Sequence, residues 1–98
     1  MAKNIIWSPA AESDLKSVLS YLDEKWSVLV VNQFINKVDS FVSLIAEEPK
    51  LFPIINKKHN VRKCVLTKQN TLFYRENKDS IDIIRLFDTR QDPKKLKY

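Results

Sequence analysis

The spacing of apolar residues changes at Pro49, and that change limits the folds open to this chain. Before it, apolar side chains recur every three or four positions, as on a helix with one buried face. After it they come in short runs separated by polar clusters, as in strands. A chain that places its helices first and most of its strands after them folds as an α+β domain, with the helices on one face of an antiparallel sheet.

The helical part opens at Ser8-Pro9, where a serine caps a helix and a proline takes its first turn. Ala11, Leu15, Val18, Leu19, Leu22 and Trp26 then mark one apolar face, opposite Glu12, Asp14, Lys16 and Asp23. A second stripe follows Ser27, through Val31, Phe34, Ile35, Val38, Phe41, Val42 and Ile45. It stops at Glu47-Glu48-Pro49 because proline cannot continue a helix. So short a turn between two amphipathic helices makes an antiparallel hairpin. Ahead of it, residues 4–8 read as a strand, and Trp7 and Trp26, at the two ends of the first helix, read as edges of the core.

Beyond Pro49, residues 49–60 read as a loop, and strands are expected at 61–66, 71–76 and 80–88. The turns between them carry Asn and Asp, since the chain contains no glycine. The order is β-α-α-β-β-β in a single domain, 1–98. Alternation puts Arg62, Cys64 and Leu66 on one face and Val61, Lys63 and Val65 on the other, without deciding which face is inward. Of Phe73 and Tyr74, one should be core and the other face outward.

Composition removes several functions. Without glycine there is no phosphate-cradling loop and no dinucleotide fingerprint, so no nucleotide cofactor is expected. One cysteine and one histidine build neither a disulfide nor a usual zinc site, and no metal is expected. Cys64 reads as a small buried hydrophobe. No uncharged apolar run is long enough to span a bilayer, and the first ten residues lack the apolar segment of a signal peptide. A cytoplasmic location and no membrane partner are the expectations. The net charge of +5 is unevenly distributed. Residues 1–49 carry four Lys against seven acidic residues, while residues 50–98 carry thirteen Lys/Arg against five. A half-domain this basic suits nucleic acid, a ribosome or an acidic protein.

The helix opening "WSPAAESDL", the run "VRKCVLTKQNTLFYRENKDSIDIIRLFDTRQDP" and the strand ending "RLFDTRQDP" resemble the RelE/ParE superfamily of toxins from bacterial type II toxin–antitoxin modules. The likeness covers nearly the whole chain. It implies a growth-arresting protein of a plasmid-stabilising kind, neutralised by a cognate antitoxin whose apolar segment folds onto it. Two targets are implied: mRNA on the ribosome, cut by a metal-independent endoribonuclease, or DNA gyrase. Arg62 matches an arginine position of the family.

Chemistry weighs between the targets. RNA cleavage needs a general acid and base beside convergent cations. Arg62, Lys63, Arg85 and Arg90 supply cations for binding a target, and Arg62, Arg85, Asp88 and Arg90 are the candidates if the protein is a nuclease. Where nuclease members carry His or Tyr at the end of the last strand, this chain has Asp88, Thr89 and Arg90. A carboxyl in so basic a setting is pushed away from acid work. His59 and Tyr98 are weak substitutes. The reading leans to a ParE-like gyrase inhibitor that is not an enzyme, with the mRNA endoribonuclease and a non-toxic antitoxin-binding module as alternatives. Arg85, inside an apolar strand, must either pair with a carboxylate such as Asp82 or Asp88 or face a partner.

Overall fold

The computed structural model describes residues 2–89. Its elements are β1 (Asn4–Trp7), α1 (Pro9–Lys25), α2 (Val28–Glu47), β2 (Ile54–Asn56), β3 (Val61–Val65), β4 (Asn70–Glu76) and β5 (Ser80–Asp88). The helix starts are those the sequence encodes. Ser8 accepts from the Ala11 N–H through its side chain, with Pro9 next in line, and Ser27 accepts from Val30 in the same way. Each such cap is worth about 1 kcal/mol.

The strands lie in the order β1-β5-β4-β3-β2. From β2 to β5 every pairing is antiparallel, but β1 runs parallel to β5, Asn4 opposite Ser80 and Trp7 opposite Ile83. The sheet is therefore mixed where a wholly antiparallel one was expected. Three antiparallel pairings separate β2 from β5, so β2 also runs opposite to β1, at the far edge. The helix pair thus carries the chain across one face of the sheet and turns it round. β2 falls in the stretch expected to be a loop; three residues are too few to show alternation, and its register against β3 shifts between Ile54 and Asn56.

One face of the sheet is covered by the helices. Cys64, Leu72, Tyr74, Ile81 and Ile83 are wholly buried there against Ala11 and Val18 of α1 and Phe34, Val38 and Ile45 of α2. Trp7 packs at the edge of this core, but Trp26 does not. It is the residue that ends α1, the chain turns at once into α2, and its ring is left 67% exposed beside exposed Val28 and Leu29. The uncovered face carries a smaller cluster, Val61, Phe73 and Phe87 with Ile84 at its side. Tyr74 is thus the core ring and Phe73 the one on the other face, although it too is buried.

By length and composition α2 could cross a membrane, with a mean hydropathy of 1.3. Lys37 and Asp39 interrupt it near its centre, and Phe34, Val38 and Ile45 pack it into the core. Without glycine, the turn before β3 uses Asn60 at φ 55°, in the left-handed region that asparagine tolerates better than most residues.

Candidate functional site

Arg62 projects from β3 toward the helices, opposite Tyr74 in register. Its Nη1 donates to the carbonyl oxygens of Phe52 at 2.6 Å and Lys50 at 3.4 Å, and its Nε is buried with no hydrogen-bond partner. The Tyr74 hydroxyl donates to the Pro49 carbonyl at 2.6 Å. Phe52 meets the Tyr74 ring edge-on at 6.4 Å and lies 6.3 Å from Phe41. Arg62 and Tyr74 therefore clamp the segment that leads from α2 to β2, and burial pushes the Tyr74 phenol up to about 12.

Arg85 sits at an irregularity in β5. Tyr74 pairs with Ile83 and Phe73 with Arg85, so Ile84 is an extra residue and the strand bulges. Beyond Trp7, β1 no longer covers this edge of β5, and the start of α1 takes its place. Ser8 donates from its backbone to the Ile83 carbonyl at 3.0 Å and from its hydroxyl to the Ile84 carbonyl at 2.7 Å. Asp14, nearly two turns further on, receives Arg85 Nε at 2.8 Å, Arg85 Nη2 at 3.0 Å and the Leu86 backbone N–H at 3.0 Å. These hydrogen bonds hold the Arg85 guanidinium above its ordinary pKa, outweighing its partial burial. The carboxylate shown pairing with Arg85 is thus that of a residue of the first helix, Asp14, where the sequence suggested Asp82 or Asp88. Asp14 had read as part of a solvated helix face.

The other candidates lie apart. Lys63 points from β3 to the uncovered face, between Val61 and Val65, and is exposed. Asp88 ends β5 opposite Asn70 and is half-buried. His59 is exposed in the turn after β2, where its carbonyl accepts Arg75 Nε at 2.7 Å. Arg90 and Tyr98 lie outside the described residues. Arg62 under the helix side, Lys63 on the open face and Arg85 at the α1 seam do not converge on one point. Among the described residues, no three of His, Cys, Asp and Glu cluster as metal ligands would. Cys64 is wholly buried, with its thiol pushed up by desolvation to about 11, so it is no ready nucleophile.

Sequence reasoning missed Asp14 and the second role of Ser8. The Ser8 cap was legible locally, but its bond to Ile84 spans 76 positions and the Asp14–Arg85 pair spans 71. An arginine inside an apolar strand was the only signal.

This architecture, a helix hairpin on one face of a five-stranded sheet, is that of the RelE/ParE toxins. The structure matches that of the chromosomal ParDE system from P. aeruginosa with a TM-score of 0.74, at 13% identity, over 89% of this chain and 96% of that one. It matches the YoeB dimer from Staphylococcus aureus at 0.65, with 17% identity over 89% and 97% of the two chains. For the E. coli DinJ–YafQ toxin–antitoxin complex the values are 0.63 and 12%, over 92% and 96%. No curated protein sequence matches. At such identities the likeness is one of fold. In sequence, residues 5–93 match the family of ParE toxins of the type II toxin–antitoxin system parDE, and the chain belongs to that family.

Proposed function

We propose that this toxin arrests growth by acting on DNA gyrase, and that a cognate antitoxin holds it inactive. The observation that carries the choice of target is the dispersal of the candidate nuclease residues. Arg62 is spent on loop carbonyls and Arg85 on Asp14, and among the described residues the titratable groups beside them are engaged as well, the Tyr74 hydroxyl on the Pro49 carbonyl and the Asp14 carboxylate on Arg85 and the Leu86 N–H. A ribonuclease of this fold needs cations and a proton carrier on one face. The match to the ParE family supports the same reading.

Support for an antitoxin comes from the relatives, several of which are toxin–antitoxin complexes. Among the described residues, one apolar place for such a partner lies between the helix hairpin and the β3–β4 turn, lined by Leu22, Val30, Phe34 and Asn70, with Trp26 and Tyr21 at its rim. An apolar antitoxin segment that folds on binding would cover these side chains.

The test is pulse incorporation of labelled thymidine and labelled methionine, within minutes of inducing the chain without its antitoxin. An early fall in thymidine uptake is expected. An early fall in methionine uptake instead would mean an mRNA endoribonuclease, and no change in either, with the protein folded and abundant, would mean an antitoxin-binding module without toxicity.

A further inference from the structure

Residues 49–75 contain seven Lys and Arg and no acidic residue. The two arginines are occupied: Arg62 holds the carbonyls of Lys50 and Phe52, and Arg75 holds that of His59. The five lysines, Lys50, Lys57, Lys58, Lys63 and Lys68, are all exposed and are joined to no carboxylate among the described residues. Lys58 precedes β3, Lys63 stands at its middle on the face the helices leave open, and Lys68 follows it. Asp82, the acid across from Arg75 on this face, accepts Asn77 Nδ2 at 2.8 Å.

Four of these lysines, Lys57, Lys58, Lys63 and Lys68, lie on β3 and its two flanking turns and form a positive surface with no ion-paired carboxylate among the described residues. We propose that this surface binds the phosphate backbone of duplex DNA. Lysine is a compact point charge suited to phosphates and carries no fixed geometry for reading bases. A five-residue strand is about 17 Å long, and a duplex carries one charge per about 1.7 Å, so β3 spans on the order of ten phosphate charges. The rings that a single strand would need for stacking its bases are withdrawn. Phe73 and Phe87, the aromatics of this face, are 6% and 9% exposed. A duplex, whose bases are already stacked, fits this face better than single-stranded RNA. The choice of DNA rests on the gyrase reading, since gyrase holds duplex DNA; the surface would place the toxin on the nucleic acid beside the enzyme.

The test is fluorescence anisotropy with the full chain and a short labelled duplex of mixed sequence, with no gyrase present, so that this proposal and the gyrase reading can fail separately. Saturable binding is expected, weakening between about 50 and 200 mM salt with a log–log slope of roughly −3 to −4.5, from about 0.9 per neutralised phosphate. The variant carrying Lys58→Glu, Lys63→Glu and Lys68→Glu, checked for folding by circular dichroism, should lose at least about tenfold in affinity and flatten the slope by roughly 3. Lys16→Glu with Lys25→Glu, on α1, should change affinity by less than about twofold. Absence of saturable binding would overturn the proposal, as would an equal loss in the α1 variant, which would reduce the effect to net charge. Tighter binding of single-stranded RNA or of an acidic peptide would overturn it in favour of those partners.

Discussion

Both faces of the sheet carry apolar residues, and the fold treats them differently. Toward the helices, Cys64, Leu72, Tyr74, Ile81 and Ile83 are 0% exposed and share one core with both helices. On the other side Val61, Phe73 and Phe87 hold a small cluster, while Val65 is 53% exposed and Ile6 is 52% exposed. The difference shows where stability and function are divided. Loss of a side chain from the first face leaves a cavity, whereas the second face keeps a few apolar anchors among exposed side chains such as Lys63 and Val65.

The largest expected contrast comes from truncating one residue on each face. Ile83→Ala should cost about 3–5 kcal/mol in urea unfolding, the range for deep core truncations, and Val65→Ala less than about 0.5 kcal/mol. Equal losses would break the comparison, by showing that the open face is packed as tightly as the other.

The seam between the faces comes next. Arg85→Ala and Asp14→Ala should each cost about 2–4 kcal/mol, since removing one partner leaves the other charge partly buried and strips the Leu86 N–H of its acceptor. A double-mutant cycle should return a coupling of about 1–3 kcal/mol. Arg85→Ala would then relieve toxicity through the fold rather than through target contact, and a fully stable, non-toxic Arg85→Ala would restore Arg85 to the binding surface.

A smaller effect should appear at alkaline pH. Burial raises the Cys64 thiol from 9.0 to about 11 and the Tyr74 phenol from 10.0 to about 12. Both folded values lie above the unfolded ones, so the neutral groups stabilise fully below pH 9. That contribution is lost as pH rises, to about 11 for the thiol and about 12 for the phenol. Stability should fall on the order of 2 kcal/mol between pH 9 and 11, and Cys64→Ala should delay the onset toward pH 10. No change in the pH profile of the variant would mean that the thiol is not held in an apolar site in solution.

Much of the helix-covered face was legible in the sequence. The stripes through Val18 and through Phe34, Val38 and Ile45, the serine caps and the three long strands all follow from local spacing, and local spacing is what a sequence records. The parallel placement of β1, the short β2 and the pairing of Arg85 were not legible, because each depends on residues far apart in the chain or on an element too short to show a period. Trp26 misled for a related reason: it continues the apolar stripe of α1, but the helix has ended and the turn carries it away from the core. The candidate cations were visible as residue types, while their assignment to a loop clamp, a helix seam and an open face came from topology.

The parallel pairing of β1 with β5 has a mechanical consequence. Tension applied between the two ends of the chain would pull these neighbours in opposite directions along their length, loading their hydrogen bonds together in shear rather than peeling them apart one by one. The first strand, four residues long, thereby acts as a latch closed onto β5, the last one described. An unfolding machine that pulls on either end must break that latch before it reaches the core.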